Sequence, residues 1–87
     1  KFVEKSTSAL SEPHRLSILH EISKKGTMRC CDVVGLTGCS QPTCSHHIKL
    51  LADSDLIECR KEGRNIFVSL NKNNFKKLVQ YFEKFGE

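Results

Sequence analysis

The 87-residue sequence predicts a mainly helical domain, α-α-α-α-β-β-α in order, with one β-hairpin set before the last helix. Three observations point there. Apolar residues recur at helical spacing through most of the chain. Gly26 and Gly38 interrupt that recurrence after short stretches. Between Leu56 and Leu70 the period drops to two, around a charged turn that contains Gly63. A single core is usual up to roughly 150 residues, so residues 1–87 are expected to form one domain. So short a chain buries only about 60–65 % of the surface its unfolded form exposes, and an apolar face left uncovered would favour a partner.

Taken in order, residues 2–10 place Phe2, Val3, Ser6, Ala9 and Leu10 near one stripe and predict a first, short helix. Ser11 offers an N-cap and Pro13 suits a first turn. Leu16, Ile18, Leu19 and Ile22 then repeat at helical spacing until Gly26 ends the second helix. A third helix fits 29–37, with Cys31, Val34 and Val33 as the inward candidates and Gly38 as its stop. Ser40 as N-cap and Pro42 in the first turn start the fourth. At 100° per residue, Cys44, His47, Ile48, Leu50 and Leu51 share one arc of that helix, while Gln41, Ser45, His46, Lys49 and Asp53 occupy the other. Leu56, Ile57 and Cys59 lead into the basic turn 60–64, and Ile66, Val68 and Leu70 lead out, which is a hairpin with a basic tip. The last helix starts near 71–74 and carries Phe75, Leu78, Val79, Phe82 and Phe85 on one stripe, with Tyr81 beside them.

A short helix, a turn at Gly38, a helix with a polar outer face and a basic hairpin behind it together form a winged helix-turn-helix. In that arrangement the fourth helix enters the major groove. Gln41 can bridge N6 and N7 of adenine, and Ser45 and His46 can bond to base edges. Lys49, the Ser40 backbone N–H, Arg60, Lys61 and Arg64 are placed to meet phosphates. Fourteen Lys and Arg against ten Asp and Glu, a net charge of +4, agree with a polyanionic partner. The chain has no run of apolar residues long enough to span a membrane and no apolar leader, so a cytoplasmic protein with no membrane partner is expected. No nucleophile, base and oxyanion constellation argues for an enzyme.

Five cysteines, Cys30, Cys31, Cys39, Cys44 and Cys59, could suggest disulfides, but the odd count and helical pattern favour reduced thiols. No zinc-finger spacing occurs, and no cofactor is expected to be needed for folding. Cys39 and Cys44 read as small core residues, and Cys59 shares a strand face with Ile57. Cys30 and Cys31 diverge by 100° on a helix, so one of them must be exposed. With Arg29, Lys24 and Lys25 near a helix N-terminus, its pKa is expected to be lowered. Such a thiolate suits a soft ion or redox chemistry equally, and structural cysteines remain a third reading. His14 and His20 fall on different faces of the second helix and read as surface residues, not a metal pair.

From Leu10 to Leu70 the chain resembles the ArsR/SmtB family of bacterial repressors, through LSEPHRLSIL, GCSQPTCSHHIKLL and LIECRKEGR. The resemblance implies a homodimer built on the terminal helices, 1–10 and 71–87, bound to double-stranded operator DNA. It places Gln41, Thr43, Ser45 and His46 at bases, and His47 is included in the DNA-contacting set despite its inner arc. It implies repression relieved by a small inorganic inducer, here a thiophilic metal or metalloid such as arsenite or antimonite. The candidate ligands are Cys30, Cys31 and Cys59, or a residue ahead of Lys1; a thiol-redox or persulfide-responsive repressor is the alternative. In the family's thiol box a Cys-x-Cys-Asp run begins the third helix; here Arg29 replaces the first Cys, and Cys31 and Asp32 match the rest. The family's last-helix zinc site has only Glu83 to match it, and Asp55 stands where a Gly is usual before the wing.

Overall fold

The computed structural model describes residues 1–87. Five helices, α1 (Phe2–Leu10), α2 (Pro13–Lys25), α3 (Cys30–Thr37), α4 (Gln41–Asp53) and α5 (Lys72–Glu83), accompany three strands, β1 (Thr27–Arg29), β2 (Ile57–Glu62) and β3 (Asn65–Leu70). A 3-10 turn at Lys84–Gly86 ends the chain. The strands form one antiparallel sheet in the order β1-β3-β2, with Met28 opposite Val68 and Cys59 opposite the same valine on the other side.

Strand β1 is an addition to the expected order. It is too short to show a period of two, and its contribution is one buried side chain, Met28, flanked by exposed Thr27 and Arg29. Pairing with β3 gives the wing a third strand and draws the start of α3 against the sheet.

Local chemistry sets the boundaries. Pro13 occupies the first helical turn, so the residue before it caps α2: Glu12 accepts from the Arg15 backbone N–H at 3.0 Å, in place of the expected Ser11. Gly38 ends α3 at φ 69°, a left-handed conformation that costs an L side chain strain, and Ser40 then caps α4 by accepting from the Thr43 N–H. The two-residue turn of the hairpin places Gly63 at φ 60°, as its first position demands. Asp55 takes φ 63°, and its carbonyl accepts from Asn74 Nδ2 at 2.7 Å, which ties the start of α5 to the start of the wing.

The core lies where α2, α3 and α4 meet the sheet, with Ile18, Ile22, Val33, Leu51, Leu56 and Val68 fully buried. On α3 the inward residue is Val33, while Val34 is half-buried and Cys31 faces out. In CCDVVGL apolar residues stand at nearly every position, so spacing alone leaves the phase of the helix open. Arg15 braces three helices, its Nε donating to the Ala9 carbonyl at 2.6 Å and its Nη1 to His47 Nδ1 at 3.1 Å.

Candidate nucleic-acid interface

Helix α4 buries Cys44, His47, Ile48 and Leu51, and that inner face dictates what points outward: Gln41, Thr43, Ser45, His46 and Lys49 are all exposed, as is Ser40 at its cap. The Ser40 hydroxyl donates to Thr43 Oγ1 at 3.0 Å and so fixes both side chains at the helix start. His47 faces the opposite way. It is only 8 % exposed, its ring is held by Arg15 Nη1, and burial lowers its pKa. A side chain so placed cannot reach DNA in this conformation, which removes His47 from the expected contact set.

Arg60, Lys61 and Arg64 are exposed on the wing. Arg60 is partly engaged, its Nε 3.2 Å from Glu62 Oε1 and its guanidinium 5.7 Å over the Phe67 ring. Between the wing, α4 and the start of α3 lies a cleft of about 450 Å³. Gln41, Ser45, Lys49 and Arg64 line it, and so do Cys30, Cys31, Cys44 and Cys59. The outward face of α4, one wing arginine and four of the five thiols therefore share one concavity.

Desolvation governs the acidity of two of these thiols. Cys30 is half-buried, and desolvation raises its pKa, helped by the neighbouring sulfurs of Cys59, Cys44 and Cys31. Burial pushes the Cys59 thiol up as well. Cys31 is the exposed member of the adjacent pair. Arg29 forks onto Asp32, with Nε 3.2 Å from Oδ2 and Nη2 3.4 Å from Oδ1. Its charge is matched by that carboxylate, and Asp32 is occupied in turn.

A second group of ligand-type residues forms behind α4. The ligating atoms of His14, Cys39 and His47 lie within 4.8 Å of one another. Cys30, Cys31 and Cys59 share their cleft without reaching that compactness. The sequence alone reads His14 as a surface residue and Cys39 as a small packing residue. No local period relates the three positions, and only the packing of α2 on α4 joins them.

Residues 10–60 match the family model described as a helix-turn-helix domain. The chain is 36 % identical over 78 residues to a cadmium resistance transcriptional regulatory protein, a CadC homolog of Staphylococcus aureus, a match covering 90 % of this chain and 64 % of that protein. It is 44 % identical over 62 residues to an arsenical resistance operon repressor of Staphylococcus xylosus, covering 71 % and 59 %. The chain thus spans about three-fifths of the length of these two relatives. It superposes with a TM-score of 0.78 on the homodimeric winged helix-turn-helix DNA-binding domain of a possible ArsR-family regulator from Mycobacterium bovis, at 24 % identity, covering 95 % of this chain and 79 % of that one. The chain belongs to the ArsR family of winged helix-turn-helix regulators.

An ArsR fold is that of a DNA-binding transcriptional regulator and not of an enzyme. No helix is long and apolar enough to cross a membrane. Of the residues assigned to DNA from sequence, nine stand exposed on α4 or the wing, and His47 alone is turned inward.

Proposed function

We propose that this ArsR chain is the DNA-binding part of a homodimeric, cytoplasmic transcriptional repressor that lets go of its operator when a thiophilic metal or metalloid binds Cys30, Cys31 and Cys59. One observation carries the reading: the cleft that gathers these sulfurs also has Gln41, Ser45, Lys49 and Arg64 in its wall. A ligand drawn in by sulfur would displace or reorient the groups proposed to meet DNA. Soft ions require two or three thiolates, and Cys30, Cys31 and Cys59 line the same cleft. The names of the cadmium and arsenical relatives agree with this class of inducer. A coupling of about 3 kcal/mol between the two ligands would lower DNA affinity roughly 150-fold.

In the dimer, Phe82, Phe85 and Val79 of α5 meet their counterparts, and two α4 helices about 34 Å apart read an imperfect palindrome. The Mycobacterium bovis domain on which the chain superposes is a homodimer, which supports dimerisation as such. The test is release of a labelled operator duplex from reduced protein by arsenite, cadmium, zinc and a persulfide donor, repeated on Cys30→Ser and Cys31→Ser. The proposal expects release by arsenite or cadmium that both variants abolish. Release by the persulfide donor alone transfers the role to thiol redox chemistry, and release unchanged in both variants refutes sensing by these cysteines.

A further inference from the structure

His14, Cys39 and His47 come from three separate places: the first turn of α2, the turn between α3 and α4, and the inner face of α4. Their ligating atoms converge within 4.8 Å, and the two imidazoles stack with centroids 5.7 Å apart and planes inclined by 15°. His14 Nδ1 lies 2.8 Å from Glu12 Oε1. A carboxylate accepts and does not donate, so this partner assigns the ring proton to Nδ1 and leaves Nε2 with a free lone pair. Glu12 is itself fixed, because its other oxygen caps α2 at 3.0 Å from the Arg15 N–H. A carboxylate that orients an imidazole in this way is the usual outer support of a metal-binding histidine.

We propose that His14, Cys39 and His47 form a site for a divalent cation of the zinc class, separate from the sulfur cleft and independent of its role. Two imidazoles and one thiolate are a borderline donor set suited to Zn²⁺ and its Co²⁺ surrogate. Hard ions, which want carboxylates and carbonyls, are poorly served by it. Binding forms a Cys39 Sγ–metal bond and releases the thiol proton to solvent, with no change of oxidation state.

The site also has a built-in competitor. Arg15 Nη1 donates to His47 Nδ1 at 3.1 Å, and a guanidinium has no acceptor. A metal at Nδ1 displaces Arg15 directly. A metal at Nε2 sends the ring proton to Nδ1, where it faces another donor. Either way the Arg15 bond breaks, and a tie between α2 and α4 alone becomes one that also holds the turn leading into α4.

Titration of the reduced full chain with Co²⁺, followed by visible absorption, tests this. The expected result is tetrahedral d–d bands with a charge-transfer band of single-thiolate intensity, displaced by Zn²⁺. Cys39→Ser should remove the charge-transfer band. His14→Ala, at an exposed position, should weaken binding by more than the roughly 10- to 100-fold typical of losing an outer-shell partner. A combined Cys30→Ser, Cys31→Ser, Cys59→Ser variant should bind as the parent does, and Arg15→Met should bind more tightly. Absence of the bands in the parent, their survival in Cys39→Ser, or their loss in the triple variant would overturn the site. An Arg15→Met affinity no higher than the parent's would overturn the competition.

Discussion

Helices α4 and α5 are of nearly equal length and both amphipathic, yet the chain completes only one of them. Helix α4 buries four side chains, and its free surface is small, polar and basic. Helix α5 buries only Leu78 and leaves Val79 64 % and Phe82 41 % exposed, with Phe85 just beyond it at 69 %. Tyr81, Phe82 and Phe85 pack against one another, with Tyr81 to Phe82 at 5.2 Å and Tyr81 to Phe85 at 5.9 Å. A face whose apolar side is already satisfied can offer hydrogen bonds to a polar partner, and one still lacking a cover gains most from a second apolar face. The contrast fits the two partners proposed above, nucleic acid at α4 and a second copy of the chain at α5.

The sharpest way to break this contrast is at α5. Phe82→Asp with Phe85→Asp should leave a folded monomer in sedimentation and cut operator affinity on the order of 100-fold, because two half-sites no longer bind as one. A dimer that survives both changes would move the interface elsewhere. Inside the completed side, Leu51→Ala should lower stability by about 2–5 kcal/mol in urea unfolding, since Leu51 is fully buried under α4. Val79→Ala on α5 should cost the monomer far less, and equal losses would erase the distinction between the helices.

Smaller effects refine the account. Ser40→Ala removes the α4 cap and should cost about 1 kcal/mol of stability, with Ser40→Gly closer to the parent. Alkylation by iodoacetamide near neutral pH should modify exposed Cys31 before Cys30, whose thiol burial holds in the protonated form. The reverse order would mean that the cleft opens more readily than its packing suggests.

Much of this fold is legible in the sequence because its punctuation is local. Gly26, Gly38 and Gly63 sit at positive φ, Asp55 does the same in place of a glycine, and Pro42 follows its serine cap into the first turn of α4. Features that depend on tertiary partners were not legible. Strand β1 exists because β3 offers it an edge, and three residues show no period. The phase of α3 is set by Val33 reaching the core, which its largely apolar neighbours conceal. At the candidate site, angular projection of α4 correctly placed His47 inside, and the helix-turn-helix motif pulled it into the contact set against that geometry.

The most direct measurement of the central claim is a paired titration on the preferred operator and on random duplex, in moderate and raised salt. Parent affinity should fall on the order of a thousandfold between about 50 and about 200 mM salt if the dimer meets six or more phosphates. Gln41→Ala and His46→Ala should each lose about 1–3 kcal/mol on the operator and little on random DNA, whereas Arg64→Ala should weaken both alike and flatten the salt dependence. Equal losses on both duplexes for all three variants would contradict a division in which α4 reads sequence and the wing holds the backbone.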